Sequence, residues 1–203
     1  MMDEHFSKED EERRLIQQAS EGSTLAFEEL VKRHEAALFR IAFHLVGDVG
    51  EAADIVQEVF LSVYRNVKTF EGRSKFSTWL SAITVNRAKN ALRKMKRTKW
   101  HLTLFTGVEE REENGERPLD PASPDPPADT QMEQEEIRKK VRACIEKLAP
   151  DFRAVLVLKE IQDLSYEEIA ETLSLAGGTV KSRLSRARDS VKECLKRTGG
   201  VIS

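Results

Sequence analysis

The sequence predicts an all-α protein made of two small helical domains that an acidic, proline-rich linker joins. Apolar residues recur at helical spacing, and no segment sustains the period-two alternation of a strand. The 203 residues are 39% apolar but only 6% aromatic, which suits small helical modules. Residues 107–136 hold five of the six prolines and eleven acids, so they bury too little apolar surface to fold. We therefore place the domains at 10–100 and 137–197, and the linker at 101–136.

The first domain is predicted to contain four helices. A short helix around residues 10–20 precedes two longer amphipathic helices, which are parted near Gly47 to Gly50. The apolar stripes of these two comprise Phe27, Leu30, Val31, Leu38, Ile41, Ala42 and Leu45, then Ala52, Ile55, Val59, Phe60, Val63 and Val67. The last helix is predicted from Phe76 to about Lys99, with Trp79, Leu80 and Ile83 facing inward.

The second domain is predicted to end in a helix-turn-helix. Two helices separated by Pro150 come first, and Ser165-Tyr166-Glu167-Glu168 then fits a capping box that opens a short helix. We expect that helix to break near Gly177-Gly178, and Thr179 to cap the final helix. The final helix carries an apolar stripe at Val180, Leu184, Ala187, Val191 and Leu195. Two helices across a tight turn indicate a helix-turn-helix.

Charge is distributed unevenly along the chain, although the formal net charge is only -2. Residues 1–72 carry -7, residues 73–108 carry +9, residues 109–136 carry -9 and residues 137–203 carry +5. Separate basic blocks around an acidic spacer make nucleic acid a candidate partner.

Several classes of protein are excluded by what the sequence lacks. No window approaches the roughly 18 apolar residues of a membrane span, and the N-terminus is acidic, unlike a signal peptide, so we predict a cytoplasmic location. The two cysteines, Cys144 and Cys194, cannot make a disulfide framework. We expect no metal site and no cofactor, because metal-ligand spacing is missing among His5, His34, His44 and His101.

The final helix carries candidate DNA-binding residues near its start. Opposite the apolar stripe lie Lys181, Ser182, Ser185 and Arg186. Cationic side chains bind guanine acceptors or phosphates, and small serines allow a close approach to the major groove. A solvated basic helix face is the alternative.

A second candidate nucleic-acid face lies between residues 73 and 101, which contain nine basic residues and no acid. One helical stripe there combines amides and cations at Asn86, Asn90, Arg93, Lys94 and Arg97. Aromatic residues in or beside this stretch suit stacking on an unpaired base, namely Phe70, Phe76, Trp79 and Trp100. Ordinary core packing is the alternative for Phe76 and Trp79.

These residues carry a family resemblance. The string DIVQEVFLSVYRNVKTFEGRSKFSTWLSAITVNRAKNALRK, followed after the linker by LSYEEIAETLSLAGGTVKSRLSRAR, resembles bacterial RNA polymerase sigma factors of the extracytoplasmic function group. The resemblance covers about residues 10–98 and 137–197, and it implies a region 2 helical bundle and a region 4 helix-turn-helix. It implies a promoter-specificity subunit with no catalytic residues of its own.

The resemblance assigns roles to residues that match the family's motifs. The clamp helices of the largest polymerase subunit would be bound by Asp54, Gln57, Glu58 and Phe60. Without the resemblance, a solvated acidic face is an equal reading of that patch. The melted minus-ten element would be bound by Phe70, Gly72, Ser74, Lys75, Phe76, Trp79, Asn86 and Asn90. The duplex minus-thirty-five element would be bound by Thr179, Lys181, Ser182, Ser185 and Arg186. An anti-sigma factor is a further implied partner.

The chain departs from the family pattern at the turn of the helix-turn-helix. Family members often have a Gly-Ile-Pro-x-Gly-Thr-like turn, whereas Ser174-Leu175-Ala176-Gly177-Gly178-Thr179 stands here. We expect a more flexible turn because the proline is absent. Ser185 occupies a position where some relatives have a bulky side chain, so the promoter sequence does not follow by analogy.

Two other functions were weighed against a sigma factor. An autonomous helix-turn-helix regulator would bind its operator tightly without polymerase, and it leaves the Asn-rich basic helix unexplained. A nucleic-acid hydrolase needs grouped carboxylates or a nucleophile with a base, and the acids here show no such grouping. The acidic linker is read either as a nucleic-acid mimic in the polymerase channel or as a plain tether.

Overall fold

The structure, a computed structural model, describes residues 7–106 and 128–199. That part of the chain consists of eight α-helices and one 3-10 turn, with no strand. The first half contains α1 (Lys8–Ser20), α2 (Thr24–Val46), α3 (Val49–Asn66), a 3-10 turn (Val67–Thr69) and α4 (Phe76–Thr106). The second half contains α5 (Ala128–Glu146), α6 (Pro150–Glu160), α7 (Tyr166–Leu173) and α8 (Gly177–Arg197). The predicted all-α fold class is confirmed.

Helix boundaries follow from local chemistry. Gly47 ends α2 with a φ of 82°, a left-handed conformation that glycine adopts without steric cost. The Asp48 side chain then accepts a hydrogen bond from the Glu51 amide at 2.8 Å and opens α3. The predicted capping box is confirmed, because Ser165 and Glu168 bond each other's backbone amides at the start of α7.

Three expected boundaries differ. Thr179 does not cap α8: the N-cap is Ala176, and Thr179 lies in the first turn, where its amide bonds the Ala176 carbonyl. The break after α7 lies at Ser174, which adopts φ 52°, and Gly177 and Gly178 are helical instead. At the predicted linker, α4 continues to Thr106 and α5 begins at Ala128. Of that linker, residues 107–127 lie outside the described residues.

The core of the first half forms around α2, which packs against α1, α3 and α4. Its largest fully buried side chains are Leu30, Leu38, Ile41, Leu45, Val59, Val63, Leu80 and Val85. In the second half, α8 packs against α5, α6 and α7 around Val155, Leu158, Ile169 and Leu184. Leu30, Leu38, Ile41, Leu45, Val59, Val63, Leu80 and Leu184 were predicted to face inward, whereas Val85 was not.

The two halves pack against each other. Helix α2 contacts α5 and α6, and α4 contacts α7. The guanidinium of Arg153, on α6, is only 6% exposed and donates to the Leu45 carbonyl of α2 at 2.5 Å. It also donates to the carbonyls of Glu146 and Leu148. Burial lowers the Arg153 pKa, and the bonds to carbonyls offset the cost of burying the charge.

One disulfide joins α5 to α8. Cys144 and Cys194 are bonded, with 5.7 Å between their Cα atoms and 50 residues of sequence separation. The expectation from the sequence was only that two cysteines make no disulfide framework, and this single bridge was not predicted. The bridge links the first and last helices of the second half.

Candidate nucleic-acid and partner interfaces

The polar patch on α3 faces solvent. Asp54, Gln57 and Glu58 are exposed, and Phe60 is half-buried. Glu58 accepts a hydrogen bond from Arg87 Nη1 of α4 at 2.6 Å, so this carboxylate is already engaged in an ion pair. The Phe60 ring packs edge-on against Phe27 of α2, with 6.4 Å between centroids. Asp54, Gln57 and Glu58 therefore form a polar rim, and Phe60 belongs with Phe27 of α2 to the apolar part of the same surface.

An apolar groove of about 490 Å³ lies beside this patch, between α2 and α3. Leu61 and Tyr64 are 50% and 48% exposed on its α3 side, which is high for such large apolar side chains. The lining also includes Phe27, Val31, Phe39, Val56, Gln57 and Phe60. An open groove of this composition suits one face of an amphipathic partner helix. The sequence analysis missed Tyr64 and the residues of α2 that line the groove. A signal was present, because the apolar residue Leu61 lies one helical turn after Gln57 on the polar face of the helix.

Three aromatic rings pack together at the start of α4. Phe70 lies 5.2 Å from Phe76 and 5.3 Å from Trp79, and Phe76 lies 5.7 Å from Trp79, between ring centroids. Phe76 is 2% exposed and belongs to the core, whereas Phe70 and Trp79 are partly exposed. Of these three rings, Phe70 and Trp79 present aromatic surface to a ligand. Core packing is thus the structural role of Phe76.

The loop before α4 contains Gly72 at a backbone position that favours glycine. Its φ of 68° is left-handed, and no atom lies within 4 Å of the place a Cβ would take. Ser74 is half-buried beside it, and Lys75 is exposed. Lys75 Nζ lies 2.9 Å from Glu168 Oε1 at the start of α7. One cation of the loop, Lys75, therefore reaches the second half.

The amide and cation stripe of α4 lies on the solvent-exposed side of that helix. Solvent-exposed members are Asn86, Asn90, Arg93, Lys94 and Arg97. Arg93 Nη1 donates to Asn90 Oδ1 at 3.3 Å, which orients that amide. Sequence reasoning missed Lys89, which lies beside Asn90 and donates to Asp151 Oδ1 of α6 at 2.7 Å.

Helix α8 presents its candidate residues to solvent. Lys181, Ser182, Ser185 and Arg186 are exposed, while Val180, Leu184 and Ala187 on the opposite side are buried. The Ser182 hydroxyl donates to the Thr179 carbonyl at 3.0 Å, and Thr179 itself is half-buried. The geometry is that of a recognition helix, because its exposed cations lie in the first turns of the second helix of a helix-turn-helix.

Two cations beside this face are held by acids of the same half. Arg188 donates to Glu160 Oε1 at 2.6 and 3.0 Å. Arg183 Nη1 lies 3.8 Å from Asp151 Oδ2, so Asp151 faces cations from both α4 and α8. The Lys89 hydrogen bond is the main reason that the Asp151 pKa is lowered.

Within residues 7–106 and 128–199, no helix has both the length and the apolar character needed to cross a bilayer. In the same residues, no three His, Cys, Asp or Glu side chains come together as a group that could hold a metal ion.

Two families match the two halves of the chain. Residues 30–98 match the family described as Sigma-70 region 2, and residues 138–191 match Sigma-70, region 4. The first match covers most of α2, all of α3 and most of α4, and the second covers the helix-turn-helix. The order and positions agree with the two faces described above.

Full-length relatives and solved structures agree with these matches. The RNA polymerase sigma-H factor of Pseudomonas aeruginosa is 32% identical over 93% of this chain and 95% of its own length. The ECF RNA polymerase sigma-E factor of Escherichia coli K12 is 35% identical over 87% of this chain and 90% of its own.

Two solved complexes share the fold with TM-scores of 0.64. CnrH in complex with the cytosolic domain of CnrY is 25% identical over 93% of this chain and 99% of that one. The sigma factor RpoE in complex with the anti-sigma factor NepR from Bartonella quintana is 27% identical over 84% and 96%. From the paired region matches and the full-length relatives it follows that the chain belongs to the sigma-70 family, as an RNA polymerase sigma factor of the ECF type that directs promoter-specific initiation of transcription.

Proposed function

We propose that this sigma factor binds core RNA polymerase and leads it to promoters with two separate elements. One observation carries the proposal: exposed amides and cations lie on α4 of one half, and exposed cations and serines lie on α8 of the other. Each face alone is small and binds weakly. Joining them on one polymerase raises the effective concentration of the second face, and it demands a defined spacing between elements.

The proposed polymerase contact is the α3 patch with its groove. Asp54, Gln57 and Glu58 offer polar contacts, and Phe60 contributes to the apolar wall of the groove. A coiled coil such as the clamp helices of the largest subunit would place apolar side chains in the groove and cations at the acidic rim.

The proposed minus-ten contact is the loop before α4 together with the α4 stripe. Phe70 and Trp79 would stack on or enclose a flipped base, with Phe76 as the buried support beneath them. Gly72 and Ser74 shape the loop and Lys75 would bind a phosphate. Asn86 and Asn90 would read and hold the melted strand.

The proposed minus-thirty-five contact is the start of α8. Lys181 and Arg186 would bind guanine acceptors or phosphates in the major groove. Ser182, Ser185 and Thr179 would allow the close approach and add short hydrogen bonds.

We further propose a two-domain organisation and a cytoplasmic site of action. Residues 10–100 and 137–197 would act as the two domains, with 101–136 as the flexible acidic linker. The chain would perform no covalent chemistry itself and would work in the cytoplasm with polymerase. Since the two solved complexes pair related proteins with CnrY and with an anti-sigma factor, an anti-sigma factor is a proposed partner here too.

The test is transcription from a pool of promoter fragments by core RNA polymerase, with and without the protein, beside a gel shift of the protein alone. We expect initiation at a defined subset of fragments only when both are present, and little binding by the protein alone. Tight binding without polymerase, with no gain in initiation, would instead identify an autonomous helix-turn-helix regulator.

Matched variants then test the minus-thirty-five assignment. Replacing a base-contacting residue, as in Arg186→Ala, should weaken recognition by about 1 to 3 kcal/mol, or reduce the salt slope if the contact is to phosphate. Lys192→Ala removes an exposed cation further along the same helix and serves as the control. Equal losses from both variants would contradict the assignment.

A further inference from the structure

We propose that the second half of the chain closes over the minus-ten face of the first half, with Asp151 and Glu168 occupying the places of DNA phosphates. The inference rests on the proposed assignment of the loop and α4 to the minus-ten element. The free protein would adopt this closed state, and it would have to break the contacts of Asp151 and Glu168 to bind DNA.

Asp151 provides the first of these contacts. It lies in the first turn of α6, and its Oδ1 atom accepts from Lys89 Nζ at 2.7 Å. Lys89 lies on α4 next to Asn90, within the candidate minus-ten surface. The other carboxylate oxygen is 3.8 Å from Arg183 of α8. A single carboxylate thus neutralises a cation of the minus-ten helix while facing one of the recognition helix.

Glu168 provides the second contact. Its Oε1 atom lies 2.9 Å from Lys75 Nζ in the loop before α4, and its Oε2 atom accepts from the Ser165 amide at 2.9 Å. The capping bond therefore fixes the carboxylate in the direction of the loop. The Glu168 pKa is lowered by that backbone hydrogen bond first and by Lys75 second.

Contacts other than ion pairs give the closed arrangement a defined geometry. Gln162 Nε2 donates to the Ala37 carbonyl of α2 at 3.2 Å, and Arg153 donates to the Leu45 carbonyl. The guanidinium of Arg142, on α5, lies 4.9 Å from the centre of the Phe43 ring of α2. These contacts from α5, α6 and the turn after α6 hold α2 in place. They position Asp151 beside Lys89 and Glu168 beside Lys75.

Binding a DNA strand would break the charged contacts. A phosphate that pairs with Lys75 or Lys89 takes the cation from Glu168 or Asp151, because one ammonium group cannot serve both anions at full strength. Because only open molecules would bind DNA, the apparent affinity equals the intrinsic affinity multiplied by the fraction of molecules that are open. A polymerase or promoter that separates the two halves would release both lysines at once.

The test compares two variants of the full chain that change charge equally. Asp151→Asn with Glu168→Gln removes both contacts, and Gln retains the capping bond. Asp163→Asn with Glu171→Gln is the control, because both acids are exposed on the second half. Asp163 pairs with Lys159 of the same half. Small-angle X-ray scattering measures opening, and anisotropy of a fluorescein-labelled pool of single-stranded 12-mers measures DNA binding.

We expect the first variant to show a larger radius of gyration and roughly 2- to 30-fold tighter strand binding, the range that two surface ion pairs allow. The control should scatter as the wild type does and gain less affinity. Wild-type scattering that fits two separated halves would overturn the closure, whatever the DNA result. An opened chain with no gain beyond the control would overturn the competition with DNA, and it would trace the failure to the minus-ten assignment.

Discussion

Reducing the Cys144–Cys194 disulfide should destabilise the second half of the chain selectively. The bridge joins residues with a sequence separation of 50, and chain entropy then gives about 4 kcal/mol of stabilisation. At a urea dependence of about 1 to 2 kcal/mol per molar for a small domain, the unfolding midpoint of this half should fall by about 2 M or more. Small domains are only marginally stable, so this loss is a large fraction of the free energy of unfolding of the second half.

Two probes separate the halves in this experiment. Both tryptophans, Trp79 and Trp100, precede the second half, so fluorescence reports the first half, whereas far-UV circular dichroism reports both. Adding a phosphine reductant should move the dichroism transition to lower urea and move the fluorescence transition much less. The Cys144→Ser, Cys194→Ser double variant should unfold early with or without reductant. Unchanged dichroism on verified reduction would refute the assigned role of the bridge.

Three further changes have outcomes that follow from single features. Ser174→Gly should stabilise the chain by about 0.5 to 1 kcal/mol in urea unfolding, because Ser174 ends α7 at φ 52° and glycine relieves that conformation; Ser174→Ala should give no gain. The Asp151 and Glu168 pKa values are lowered in the folded state, so their stabilisation is full above the ordinary values of 3.8 and 4.5 and is lost as pH falls below them; the double Asn/Gln variant should show a shallower loss of stability between pH 5 and 3. Leu61→Glu should reduce co-purification with core polymerase at least about tenfold, because it places a charge beside the apolar groove, whereas Leu25→Glu, at a leucine that is 76% exposed, should not.

Local patterns in the sequence predicted the helices but not their tertiary contacts. The stripe on α8 was correct because a period of 3.6 residues dictates which side chains share a face. The capping box at Ser165 was correct because both of its bonds are local. Thr179 was wrong as the cap because the helix begins earlier, at Gly177, once Ser174 takes the left-handed conformation.

The candidate sites divide in the same way. Exposure of Asn86 and Asn90 follows from position on one helix, and the sequence predicted it. The ion pair of Lys89 with Asp151 bridges 62 residues, so no local pattern could reveal it. Glu168 was recognised as a capping residue, but its second partner, Lys75, lies in the other half. The burial of Phe76 likewise depends on how α2 and α4 pack.

The contact between Lys89 and Asp151 joins two residues that the ribosome adds at different times. Asp151 is added 62 residues after Lys89, which takes about 3 to 12 s at a ribosomal rate of about 5 to 20 residues per second. The first half can fold within that interval, since small helical units fold in milliseconds or less. A nascent chain therefore displays an uncovered basic helix beside the messenger and ribosomal RNA for seconds. Covering that helix is among the last events in making this protein.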